Sequence, residues 1–441
     1  MTSELPSNSD HTLPQAEIHA AELSPAKRYA VLLASFAGLV FAGVGLGLMP
    51  VASRPITQSF MASDYCEADG GVWLARYSAA IMLGAGFGGI WLGRLGDRIG
   101  RSRAMGVSIL IYSLFAGAGA FATSQEQLLA LRFLAGLGIG GIWPTGAALV
   151  AECFPGASRP IVAGIVGAGI NVGILFLAAI VQLWPVESDS WRWIFAISAA
   201  PAAIGVVAMS VLPESPKWLA ECARSPRPSQ TQGVPPLCEL IRPPLLRSTL
   251  IGIALGAVPL IGAWAAGKWI FPWAGETGQA AGKSAHAATA QAYWAAGAAL
   301  GGFFGAPLAS WLGRRVSYFL ISLGTTLLTC GLFLFTTPTQ LIFLPWVFLQ
   351  GVVATLFFGW LPLCLPELFP TRVRAAGAGI TYNTGRFLTA AGSLAAGALI
   401  AAFHGDYAKV GAITGLVYAL GMIVIWWMPI MPSQSLDADR G

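Results

Sequence analysis

Apolar residues in this chain come in runs of about twenty, set apart by short stretches rich in Arg, Pro and Asp. The runs fall at about 29–51, 72–95, 103–122, 127–151, 160–184, 191–212, 248–270, 290–312, 316–336, 341–364, 375–402 and 409–430. A helix rises 1.5 Å per residue, so roughly twenty residues cross the ~30 Å hydrocarbon core of a bilayer, whereas buried helices of soluble domains are served by shorter runs. The pattern predicts an all-α polytopic membrane protein of about twelve transmembrane helices. Its longest polar interruption, about 213–247, holds Pro213, Glu214, Pro216, Lys217, Arg224, Arg227, Pro228, Pro235 and Pro236, and divides the runs six and six. The expected organisation is a tail at 1–26, a six-helix bundle at 27–212, a linker at 213–247, a second six-helix bundle at 248–431 and a tail at 432–441.

The halves echo each other. Glu152-Cys153-Phe154-Pro155 with Arg159 recurs as Glu367-Leu368-Phe369-Pro370 with Arg374, and Ile99-Gly100-Arg101 after the second run recurs as Leu312-Gly313-Arg314 after the eighth. Repeated halves are the construction of many carriers, which hold substrate between them near the midplane.

Composition changes this picture little. The chain is 56% hydrophobic and 10% charged, where an ordinary globular domain carries roughly a quarter charged residues. Its 54 glycines suit membrane helices that approach closely. A net charge of +5 raises the question of nucleic acid, but the basic residues sit at the ends of the apolar runs, as orientation in a membrane requires. With the N-terminus cytoplasmic, the opposite ends receive only Arg54, Arg76, Arg132, Arg192, Lys268, Lys283 and Lys409, and Arg386 falls in neither group; both termini are then inside. The polar residues 1 to about 25 read as a short cytoplasmic tail without a signal peptide. Six scattered cysteines suggest neither a disulfide framework nor a metal site, and no cofactor is expected.

The loop Gly93-Arg94-Leu95-Gly96-Asp97-Arg98-Ile99-Gly100-Arg101-Ser102-Arg103 resembles the cytoplasmic signature of the major facilitator superfamily. The stretch from Arg132-Phe133 through Gly136, Gly138, Gly140, Gly141 and Pro144 to Glu152, and Pro213-Glu214-Ser215-Pro216-Lys217-Trp218-Leu219, are similar to segments of its sugar-porter, organic-ion and aromatic-acid branches. The resemblance covers about 27–431 and implies two six-helix bundles around a central cavity. It also makes Arg132 the counterpart of the fourth-span arginine that the family associates with coupling. The first span departs from the family, because Phe41 to Gly47 offers no acidic residue to pair with Arg132 and take up a proton.

An ionisable group at the centre of a bilayer is costly and usually functional. Arg386 lies twelve residues from Arg374, about 18 Å along a helix, and is the sharpest site candidate. Asn171 stands at the same count from Arg159 in the other half, Asn383 lies a turn from Arg386, and Tyr382, Trp143, Trp264 and Trp360 are further cavity candidates. Arg76, Arg132 and Lys268 count out to the far ends of their spans, where snorkelling makes charge cheap. None of the 20 acidic residues falls within an apolar run, His11 and His19 belong to the tail, and His286 and His404 read as external.

In the arginine-rich loops, glycines permit tight turns, Asp97 is expected to sit against the positive N-terminus of a neighbouring helix, and Arg101 with Glu152 and Arg314 with Glu367 are expected to form latches. Ser310 stands where a second-half Asp97 would align. The expected function is secondary-active transport of a small organic anion such as a carboxylate, by exchange as readily as by proton symport. A carrier of a neutral sugar, polyol or amphipathic compound and a membrane receptor are the alternatives. Expected partners are a small-molecule substrate and the bilayer of the plasma (inner) membrane, with no nucleic acid and a functional monomer; no enzymatic motif is visible.

Overall fold

In a computed structural model the described residues are 23–154, 159–224, 239–243, 245–370 and 373–429. Most of both expected tails, linker residues 225–238 and 244, and Arg372 and Arg440 lie outside them. Among the described residues twelve helical spans follow one another: α1 (Pro25–Asp64), α2 (Glu67–Ile99), α3 (Arg101–Phe121), α4 (Gln125–Cys153), α5 (Gly164–Leu183), α6 (Arg192–Ser210), α7 (Leu245–Ala280), α8 (His286–Leu312), α9 (Arg314–Phe335), α10 (Phe343–Leu368), α11 (Ala376–Ala402) and α12 (Tyr407–Trp427). Several outrun their apolar stretches, because a helix continues past the hydrocarbon wherever its polar residues find partners. Thus α1 carries Arg54, which donates to Glu67 at the start of α2 at 3.1 and 2.9 Å.

Glycine brings the spans of each half into backbone contact, and it does so twice in the same way. A Cβ on Gly84 or Gly88 of α2 would overlap the carbonyls of Phe133 or Leu137 on α4; one on Gly297, Gly301 or Gly305 of α8 would overlap those of Phe348, Val352 or Leu356 on α10. Spans two and four of the first half thus pair as spans eight and ten do in the second. Between the halves, α2 packs on α11 and α5 on α8, again a pair of equivalent contacts.

Two spans are broken. In α6 the helix stops at Ile197 and resumes at Ala202 after Pro201. In α7 it runs from Leu245 to Ile261 with Pro259 inside, loosens into a π-turn at Gly262–Ala266, tightens into a 3-10 turn at Gly267–Trp269 and continues as Ile270–Ala280. Proline lacks the N–H that an uninterrupted ladder needs.

The apolar core has three parts. One lies mainly in the first half, around Leu39, Met105 and Ile142, with Ala390 of α11 joining it, and one lies in the second, around Leu255, Phe357 and Trp360. The third is shared by both halves at the end away from the arginine-rich loops, where Leu48, Tyr77 and Leu177 meet Trp269, Phe271 and Tyr407. Three polar ties across the halves lie at or toward that end: Gln291 Nε2 donates to Gly47 O at 3.0 Å, Tyr407 Oη to Glu67 O at 3.2 Å, and Arg54 to Gln279. At the other end the halves diverge, and Gly93 of α2 and Gly379 of α11 face open space. The molecule is closed at its arginine-poor end and open at its arginine-rich end.

Candidate functional site

Between the halves lies a cavity of ≈ 370 Å³, reaching from Lys268 and Trp294 at the closed end to Leu365, Pro366 and Ala378 at the open one. Its wall is mostly apolar, and among the described residues no Asp or Glu lines it. Arg386, Asn383, Tyr382, Asn171, Trp143 and Trp264 all line it.

Arg386, 9% exposed, donates from Nη1 to Ala85 O of α2 at 2.7 Å and to Asn383 Oδ1 at 3.2 Å, and its guanidinium lies 5.2 Å from the centre of the Tyr382 ring. Asn383 is held by its own helix through Nδ2 to Gly379 O, 2.9 Å. Across the cavity Asn171 Nδ2 reaches Ala298 O at 3.3 Å, so in this conformation it ties α5 to α8. A guanidinium with donors to spare, on an apolar wall without a carboxylate, is suited to receive a planar anion.

The expected positions of three side chains in the spans need correction. Trp360 is buried away from the cavity; its Nε1 donates to Arg314 O and Ser317 Oγ, both at 3.1 Å, and its ring packs on Tyr318 in the core of the second half. Lys268 is no snorkelling anchor. It is 4% exposed and lines the cavity, its Nζ 4.9, 5.3 and 5.0 Å from the ring centres of Trp264, Phe271 and Trp294. Residue counting along a straight helix misplaces it because α7 is broken at that point. Arg132 is likewise not at a lipid-facing end: it is 1% exposed inside the first half, outside the cavity lining, with Nη2 on Gly45 O at 2.6 Å. The backbone of the acid-free stretch of α1 thus supplies the acceptor. Arg76 does behave as an exposed group, lying over the Trp73 ring at 4.5 Å. His286 is buried, with Nε2 2.7 Å from Pro338 O.

At the arginine-rich end Asp97 pairs with Arg101 one turn on, and Arg101 Nε lies 3.8 Å from Glu152 Oε1. The helix N-terminus expected to attract Asp97 is occupied by Glu214, whose carboxylate accepts from the backbone N–H of Arg101 at 2.7 Å and of Ser102 at 3.1 Å. That geometry answers the orphan N–H groups and positive dipole of α3, and leaves the Asp97 side chain 64% exposed. Ser215 donates to Glu152, and Trp218 Nε1 to Asp97 O at 3.0 Å, so the beginning of the expected linker is stitched onto the first half. In the second half Arg314 binds Glu367 with two prongs, Nε to Oε2 at 3.1 Å and Nη2 to Oε1 at 2.9 Å. Glu214, Ser215 and Trp218 stand in a segment already singled out by its sequence, but nothing in their spacing points back to residue 101.

A family model described as Major Facilitator Superfamily matches residues 77–393. The chain is 26% identical over 382 residues to the cis,cis-muconate transport protein of Acinetobacter baylyi, covering 83% of this chain and 89% of that protein. It is 29% identical to the 4-hydroxybenzoate transporter of Pseudomonas aeruginosa over 46% of this chain and 44% of that one. Among solved structures, the partially occluded inward open conformation of the xylose transporter XylE from E. coli superposes with a TM-score of 0.70 at 16% identity, covering 91% of this chain and 97% of that one; the likeness is one of fold.

Proposed function

This chain belongs to the Major Facilitator Superfamily, and from that premise we propose that it carries a small organic anion of the carboxylate class, with Arg386 as the charge partner. It is an integral membrane transporter and not an enzyme. Arg386 carries the reading: a buried cation on an apolar cavity wall whose lining includes no carboxylate. Asn383 and Tyr382 orient the guanidinium, Asn171 offers an amide from the other half, and Trp143 and Trp264 give flat walls to an unsaturated or aromatic body. The names of the relatives, cis,cis-muconate and 4-hydroxybenzoate, are those of carboxylates and point the same way.

The arginine-rich end faces the cytoplasm of a cell whose inner membrane holds the protein, with both termini on that side. The conformation is then the inward-open state of an alternating-access cycle, and the protein works as a monomer. Arg54, Glu67, Gln279 and Tyr407 form the outer gate; the Asp97–Arg101–Glu152 and Arg314–Glu367 clusters serve gating and, with Arg132, coupling.

Thermal stabilisation of the purified protein tests the substrate class, because a ligand that binds only the folded state raises its apparent stability. Benzoate, 4-hydroxybenzoate and hexanedioate are expected to stabilise it, with the effect lost in Arg386→Gln and weakened in Arg386→Lys, whose point ammonium lacks the two-donor fork. Stabilisation by xylose or glycerol and by none of the carboxylates would overturn the reading.

A further inference from the structure

We propose that Lys268, with the rings of Trp264, Phe271 and Trp294 around it, is a second anion subsite at the closed end of the cavity, so that the carrier prefers organic dianions, acidic at both ends of a short apolar body, to monocarboxylates. The proposal rests on the reading of Arg386 as the first anion partner.

Charge balance carries it. Arg386 and Lys268 line one cavity, and among the described residues its lining contains no acidic residue to neutralise either. Lys268 has no hydrogen bond or ion pair among the described residues; its neighbours are ring faces, which hold a cation without cancelling its charge. A buried ammonium without a counter-ion is unfavourable, and inside a membrane span such a group is a candidate functional site. A monoanion on Arg386 leaves this second charge uncompensated. A second carboxylate on the same solute compensates it.

The placement of the two groups supports the same conclusion. Lys268 lies against Phe271 and Trp294, members of the apolar core shared at the closed end, whereas Arg386 is held outside that core, on Ala85 O and Asn383. The solute meets the guanidinium on the way in and the ammonium at the blind end. The π-turn and 3-10 turn of α7 occur at the residues leading to Lys268, and π-turns recur at functional sites. The aromatic faces around it accept the apolar body of the solute as readily as the ammonium accepts its far carboxylate.

The test compares acids of one skeleton on the full-length protein: benzene-1,4-dicarboxylate against benzoate, and hexanedioate against hexanoate, by calorimetric titration and thermal stabilisation. Each diacid is expected to bind about tenfold or more tighter than its monoacid. Lys268→Met, which keeps length and loses charge, should lower diacid affinity about tenfold and leave the monoacids within about threefold; Lys268→Arg should retain the preference. A wild-type ratio near one overturns the second subsite, and so does a Lys268→Met variant that weakens both acid classes equally. If Lys268→Met fails to fold, the wild-type ratio and Lys268→Arg still decide. The underlying reading fails differently: no acid of either class binds, or binding survives Arg386→Gln undiminished. Monoacids that bind through Arg386 with no diacid preference remove the second subsite alone.

Discussion

Gly89 decides whether Arg386 can hold its place. A methyl group there would stand 2.5 Å from Asn383 Oδ1 and 3.0 Å from Arg386 Nη1, whereas one on Gly93, a turn further along α2, meets nothing within 4 Å. Gly89→Ala is therefore expected to weaken carboxylate binding about tenfold while the protein still folds, and Gly93→Ala to bind as the native chain does. Equal affinities in the two variants, measured by titration calorimetry, would detach Arg386 from binding. Arg386 could be read from the sequence because a charge in mid-span is too costly to be incidental. Trp360 could not, since an aromatic residue in an apolar run has the same signature whether it faces a cavity or a neighbouring helix. Lys268 was misplaced by a count that holds only for an unbroken helix, and the features that break it, Pro259 and the glycines after it, are too common in such spans to announce a π-turn.

The elements at the arginine-rich end depend on two glycines in a backbone region that other residues avoid: Gly100 at φ +105 and Gly313 at φ +82. Each reverses the chain between one span and the next, and strain of this kind costs about 1–3 kcal/mol in a residue with a Cβ. At Gly313 the strain stands alone, because its surroundings are open; at Gly100 an added methyl also collides with the Glu214 carboxylate that caps α3. Gly100→Ala should accordingly lower the melting temperature in detergent more than Gly313→Ala does. Equal shifts would mean that Glu214 is not held where it caps α3. Asp97→Asn, at an exposed side chain, is expected to change the melting temperature little. At this scale the twelve spans were legible from apolar runs of membrane length, and their order survives intact. Their ends were not, because hydropathy reports where lipid begins and not where a helix stops: α1 reaches Asp64 through polar residues that pair with α2. Nor does hydropathy disclose that Glu214 would return across more than a hundred residues to cap Arg101.

For the whole molecule, the cavity's charge balance bears on energy coupling. Inward movement of an anion opposes an inside-negative potential by about 2.3 kcal/mol per charge per 100 mV, and the cavity wall offers no carboxylate to carry a compensating proton. Exchange of one anion for another avoids that cost. In proteoliposomes, uptake of labelled 4-hydroxybenzoate should depend on unlabelled carboxylate trapped inside and respond little to an imposed pH gradient. Strong uptake into empty vesicles driven by a proton gradient alone would contradict it. Symmetry of the halves was legible in the repeated Glu-x-Phe-Pro segments and Gly-Arg turns. Which face the cavity opens to was not, because both states of such a carrier are built from one sequence and differ only in which end the halves share.

The apolar core shared at the arginine-poor end makes temperature a lever on that choice. Opening this end brings water onto Leu48, Tyr77, Phe271 and Tyr407, a hydration step with a positive heat capacity like that of unfolding in miniature. Apolar burial loses strength on cooling, so the closed end is the cold-labile one. A thiol placed by Ala75→Cys, where α2 meets Gly397 of α11, should react faster with a membrane-impermeant maleimide on ice, relative to a fully exposed control thiol, than at room temperature. The equilibrium between the two faces should then trace a curved van 't Hoff plot, and the carrier's resting orientation becomes a thermometer as well as a step in transport.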